Sequence, residues 1–85
     1  MNYDDRILVA LYNAAVANNA YGGYRLSQLM PEGSTLQDAR AAATRLLSKG
    51  YIEMPQGMAA GPMVYITEKG CERAQILINE YYASN

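Results

Sequence analysis

The amino-acid sequence predicts a mainly helical α+β domain in which a β-hairpin sits between two long helices. Three features carry that expectation. Residues 35–49 are rich in Ala, Leu, Arg and Gln and are followed by Gly50; these are good helix formers ahead of a residue suited to a left-handed stop. Tyr51-Ile52-Glu53-Met54 and Met63-Val64-Tyr65-Ile66 alternate as paired strands do, with the Gly- and Pro-broken residues 55–62 between them. Thr67 then stands where it caps a last helix, residues 68–82, carrying Cys71, Ala74, Leu77, Ile78 and Tyr81 at helical spacing.

Ahead of the hairpin the elements follow in order. A first helix is expected over residues 4–18, capped by Asp4 or Asp5, with Ile7, Leu8, Leu11, Ala14 and Ala15 on one apolar face. Asn18-Asn19 and Gly22-Gly23 break the chain, and Tyr24-Arg25-Leu26 reads as a short strand that pairs with the hairpin. Ser27 caps a brief second helix, residues 27–30, which Pro31 ends by pushing Met30 out of helical backbone. Ser34 or Thr35 caps the third helix, and Asp38 lies in its first turn, where a carboxylate complements the helix dipole. Leu36, Ala39, Ala43, Leu46 and Leu47 are expected to gather on its buried face. This order of elements is that of a winged helix-turn-helix.

Composition bounds the function. The 85 residues make one domain, 1–85, with about half of them apolar; a chain this short buries only roughly 60–65% of its unfolded surface, so it commits its apolar residues to one core. No long apolar run and no leader is seen, and the single Cys71 forms no internal disulfide. The expectation is a soluble cytoplasmic protein. With no His and one Cys, a zinc site and Ser–His or Cys–His catalysis are excluded. No carboxylate pair is placed for acid–base work, so neither enzyme activity, metal nor cofactor is expected. Cys71 is expected as a small core residue, and Tyr12, Tyr51 and Tyr65 as half-buried rings.

Net charge is −1, whereas nucleic-acid modules are usually basic. Its distribution is uneven: residues 24–49 hold Arg25, Arg40, Arg45 and Lys49 against Glu32 and Asp38. The surplus of cations therefore falls on the segment of the second and third helices.

The motifs resemble those of the MarR/PadR group of winged-helix regulators. Gly23-Tyr24-Arg25-Leu26 is similar to the Gly-Tyr-Glu-Ile stretch that opens the second helix of PadR-type proteins. Arg45-Leu46-Leu47-Ser48-Lys49-Gly50-Tyr51-Ile52-Glu53 is similar to the Leu-x-x-x-Gly-Leu-Ile close of the recognition helix. Tyr65-Ile66-Thr67-Glu68-Lys69-Gly70 resembles the Tyr-x-Leu-Thr-x-x-Gly return strand and helix start. The likeness spans residues 5–82 in pattern, and the three motifs stand in the family's order. It implies a bacterial or phage DNA-binding transcription regulator that works as a dimer. The chain departs from the family in its short second helix, in a wing tip without Lys or Arg over residues 56–62, and in a last helix that ends by Asn85.

A helix of this kind reads double-stranded DNA from the major groove. Gln37 suits adenine, Arg45 guanine and Ala41 a thymine methyl, with Thr35 and Thr44 beside them. Arg40, Arg45 and Lys49 neutralise phosphates, and Arg25 and Ser34 flank the same surface. The alternative is a winged-helix adaptor that binds another protein through its wing, where Met54, Met58 and Met63 offer flexible contact. Met54 and Met63 are assigned inward, which leaves Met58 for that partner. Tyr81 and Tyr82, at the end of the last helix, are the candidate homodimer contact.

Overall fold

A computed structural model describes residues 1–20, 22–55 and 63–83. Met58 and the rest of the hairpin tip lie outside the described residues. The described chain is an α+β fold with three α-helices and a three-stranded antiparallel sheet.

Helix α1 (Tyr3–Asn18) starts one residue ahead of the expected span, and neither aspartate caps it. Its cap is Asn2, whose Oδ1 accepts from the Asp5 N–H at 2.8 Å. Asp4 and Asp5 thus move into the first turn, where they face the positive end of the helix dipole. Ile7, Leu8, Val9, Leu11 and Ala15 form the buried stripe, and Asn19, left-handed at φ 52°, ends the helix. Strand β1 (Gly22–Arg25) follows. The Tyr24 hydroxyl lies 3.1 Å from the Ala14 carbonyl oxygen and 3.2 Å from that of Ala20, and accepts from Asn18 Nδ2. One phenol therefore ties β1 to the carbonyls left over at the end of α1.

The expected second helix is reduced to one 3₁₀ turn, Leu26–Gln28. Gln28 Oε1 accepts from the Arg25 N–H at 3.0 Å, so Gln28 closes the turn from within, and Ser27 does not cap it. Leu26 and Leu29 are buried and anchor the turn. Pro31 and Gly33 (φ +85°) then lead to helix α2 (Leu36–Ser48). Thr35 is its cap: Thr35 Oγ1 accepts from the Asp38 N–H at 3.1 Å, and Asp38 Oδ2 accepts from the Thr35 N–H at 3.3 Å. This reciprocal pair satisfies two donors at the helix start.

The buried face of α2 is Ala39, Ala42, Ala43 and Leu46. Leu36 and Leu47, expected inside, are 43% and 42% exposed. Helical phase explains the correction. At about 100° per residue, the buried set centres some 70–90° away from both leucines. The three alanines have no exposed surface and let neighbouring backbone come close, so packing follows them rather than the larger side chains.

Strands β2 (Ile52–Glu53) and β3 (Met63–Ile66) pair antiparallel, Ile52 opposite Ile66 and Glu53 opposite Tyr65. β1 adds to the other edge of β3, giving the order β1-β3-β2, with a bulge between Gly22 and Tyr24. Gly23, at φ +88° inside that bulge, supplies the backbone it needs. Ile52, Val64 and Ile66 face the core. Met54 is buried, as assigned. Met63, also expected inward, is only half-buried: Val64 and Ile66 take the inward register of β3, which leaves Met63 on the outer side with Tyr65. Tyr12 and Tyr51 are half-buried, but Tyr65 is exposed. Tyr65 sits on the outward register of β3, where the alternation turns it to solvent. Cys71 lies half-buried at the core rim.

Helix α3 (Glu68–Ala83) packs Gly70, Ala74 and Leu77 inward. No described helix is long and apolar enough to cross a membrane. The start of α3 is joined to the end of α2 by short contacts. Gly50, left-handed at φ +78°, ends α2, and its carbonyl accepts from the Thr67 hydroxyl at 2.6 Å. Thr67 Oγ1 in turn accepts from the Gly70 N–H at 3.0 Å, and the Thr67 N–H donates to the Tyr51 carbonyl at 3.1 Å. A Cβ on Gly70 would overlap that Tyr51 carbonyl oxygen and press on Ile66 Cγ1. Two effects therefore oppose each other in Gly70→Ala: helix propensity favours it by about 1 kcal/mol, and overpacking costs about 1–3 kcal/mol or more. The atom struck is backbone already fixed by a hydrogen bond, so overpacking wins. We expect Gly70→Ala to lower stability by about 2 kcal/mol in urea denaturation; a stabilised variant would show that α3 does not press on this carbonyl.

Candidate functional site

The described surface with most of the predicted site residues is the outward side of α2. Gln37, Ala41, Thr44 and Ser48 are exposed along its middle. Each is small or uncharged, and Thr44 spends its hydroxyl proton on the Arg40 carbonyl at 2.9 Å. Cations border this strip. Arg40 is exposed on one flank, while Arg45 and Lys49 stand on the other, about 140° from Arg40 for Arg45 at ~100° per residue. Leu36 and Leu47 share the Arg40 flank. The face is covered by none of the described chain, which is what a groove-reading helix requires.

The predicted residues do not all stay available. Ser34 is half-buried: its hydroxyl donates to the Pro31 carbonyl at 2.6 Å, and its oxygen accepts from the Tyr3 hydroxyl at 3.1 Å. It is a pin between the turn and α1, which takes it out of the proposed contact set. Thr35 is exposed, yet its oxygen is engaged in the helix cap. Arg25 is exposed at the end of β1, beside the 3₁₀ turn, and its side chain makes no ion pair among the described residues. Tyr81 and Tyr82 are exposed and stack edge to face with ring centres 5.5 Å apart. Met58 lies outside the described residues.

Arg45 departs furthest from expectation. Its Nε donates to Asp4 Oδ2 at 2.6 Å and its Nη2 to Asp4 Oδ1 at 2.7 Å. This is a two-point salt bridge between the last turn of α2 and the first turn of α1, with Arg45 about half exposed and Asp4 largely covered. The hydrogen bond from Arg45 holds the Asp4 carboxyl below the usual carboxylate range; partial burial opposes it, and the charges of Arg45 and Lys49 add to it. The guanidinium is correspondingly held above its ordinary value, chiefly by the same hydrogen bond. Two residues 41 positions apart gave no local sequence signal of this pairing.

Two features were not foreseen. Lys69 lies 5.4 Å over the Tyr51 ring and packs beside Gly50, so a further cation stands near Lys49 at the end of α2. Between α1 and α3 lie two shallow hollows of about 180 and 270 Å³. Tyr12 lines both, with Val16, Asn19 and Cys71 in one and Gln75, Ile78 and Asn79 in the other. Gln75 Nε2 donates to the Tyr12 hydroxyl at 3.0 Å, across the ridge between them. Each is below the volume of an ordinary small-molecule site. Burial pushes the Cys71 thiol up, with Glu68 adding to the shift, so it is not activated as a nucleophile. Among the described residues no group of His, Cys, Asp and Glu is arranged to hold a metal.

No protein-family model, curated protein or solved structure matches this chain.

The Asp4–Arg45 bridge makes a signed prediction. The folded carboxyl binds its proton less tightly than the unfolded one. Its contribution to stability is therefore complete above the ordinary Asp value of about 3.9 and disappears as pH falls through the folded value. We expect Asp4→Asn and Arg45→Gln to melt below the wild-type protein at pH 7 by a small margin that salt reduces. All three should converge as pH falls below the folded Asp4 value. Thermal melts from pH 7 to pH 2 check this; a margin that widened on acidification would contradict it.

Proposed function

We propose that this chain is a winged-helix domain that binds duplex DNA with α2 in the major groove and acts as a transcription regulator of MarR/PadR type. The supporting observation is the uncovered strip of Gln37, Ala41, Thr44 and Ser48, bordered by Arg40 and by Arg45 and Lys49. Such a helix is about 10–12 Å across with its side chains, which suits the roughly 12 Å major groove. Gln37 and Ala41 are the side chains for base edges, the amide toward adenine and the methyl toward thymine. Arg25, Arg40 and Lys49 set the register on phosphates. The chain order is compatible with the reading: the β2–β3 pair follows α2, as a wing follows a recognition helix. Paired subunits would meet through the aromatic end of α3, Tyr81 and Tyr82, and read a two-fold site with half-sites one helical turn apart.

A second reading has its own observation. Leu36 and Leu47 are exposed on the Arg40 flank of α2, and apolar side chains along one helix flank suit a protein partner. In that case α2 docks onto another protein, and the acidic balance of the chain is no handicap.

Fluorescence anisotropy on a generic duplex distinguishes them. Three phosphate contacts per subunit give a dependence of log affinity on log salt of about −3. Arg40→Ala should make that slope shallower by about 0.9 and weaken binding evenly across sequences. Absence of binding at low salt by the wild-type protein would reject the DNA reading and favour the adaptor.

A further inference from the structure

We infer that Asp4 is a positioning residue that makes Arg45 a reader of guanine instead of a clamp for phosphate. This rests on the DNA-binding reading above. A guanidinium is a planar fork of five N–H donors. Asp4 takes the Nε proton and one proton of Nη2, which fills the side edge of the fork. The other Nη2 proton and both Nη1 protons remain, and the Nη2 proton with the Nη1 proton next to it makes up the end edge. That edge is the pair of donors that matches guanine O6 and N7.

Three further features agree. Arg45 follows Gln37 and Ala41 at four-residue intervals, so it belongs to the same row of the helix as the two base-reading side chains. Its charge is matched by a carboxylate at hydrogen-bond distance. A matched cation has little left to release counterions from a phosphate, whereas its remaining hydrogen bonds are intact. Finally, the carboxylate is held from a different helix. Asp4 is largely covered, in the first turn of an α1 that Asn2 caps. The long Arg side chain is thus fixed before DNA arrives, and the ordering cost on binding falls. Arg40 has no such partner among the described residues and keeps its full charge for phosphate.

The test combines selection from a randomised duplex pool with salt titrations on a generic duplex, using the wild-type chain and Arg45→Ala, Arg45→Lys and Asp4→Asn variants. The wild-type protein should select a guanine at one position of each site. Arg45→Ala and Arg45→Lys should both lose that preference by roughly ten-fold, and Arg45→Ala should change the salt slope by much less than one phosphate's worth of about 0.9. Asp4→Asn should blunt the guanine preference and steepen the slope by about 0.9, because Arg45 is released to phosphate. If Asp4→Asn fails to fold, the Arg45→Ala slope still tests whether Asp4 keeps Arg45 off phosphate, and Arg45→Lys, which keeps the charge and loses the fork, tests the guanine contact. A slope shallower by about 0.9 in Arg45→Ala with base preference unchanged would overturn the inference. So would unchanged preference and slope in every variant. No duplex binding by any of the four proteins at low salt would instead remove the DNA reading itself, and this inference with it.

Discussion

The surface of this domain depends on how closely the start of α3 sits on the chain leaving α2. Gly70 leaves room for the Tyr51 carbonyl, and that carbonyl accepts from the Thr67 N–H. The Thr67 side chain meanwhile holds the Gly50 carbonyl and caps α3. Within four residues on each side, one glycine stops a helix, another admits a backbone, and a threonine serves both. The hairpin is thereby folded beside α2, with Ile52 and Ile66 paired in the core. A bulkier side chain at position 70 would push α3 outward and the sheet with it.

The same economy of bulk shapes α2. Its inner face is alanine for three of four buried positions, so the helix lies close to its neighbours and its outer side stays uncovered. What stands on that side is mixed. An uncharged strip carries hydrogen-bonding and methyl groups, Arg40 and Lys49 are the cations available on its flanks, and Arg45 is bound to Asp4. A chain of net charge −1 gains little from long-range attraction to a polyanion. On the proposed DNA-binding reading, discrimination among sequences has to come from directed hydrogen bonds, and a fixed Arg fork is suited to that work.

Much of the fold was legible because local rules and packing agreed. The Thr67 cap, the Gly50 stop, the Thr35–Asp38 box and the two hairpin strands each follow from short-range chemistry. The three motifs that suggested a regulator family have mainly structural explanations here: Tyr24 closes the end of α1, Leu46 and Ile52 fill the core, and Gly70 permits a close approach. What was misread is what depends on distant residues. The burial of α2 was expected to follow Leu36 and Leu47, but neighbouring helices settle on the alanines. Ser34 and Arg45 looked like free polar groups, and Tyr3 and Asp4, more than thirty residues away, take them up. Tyr24 likewise tied together elements that the sequence only placed in order.

The most direct measurement is an amide nuclear magnetic resonance titration of the full chain with a short duplex at low salt. We expect shifts concentrated on residues 36–49 and at Arg25, with the Arg45 Nε resonance moving and the α1–α3 hollow around Tyr12 and Cys71 left still. Shifts centred on that hollow, or a spectrum unmoved by excess duplex, would contradict a DNA-reading α2.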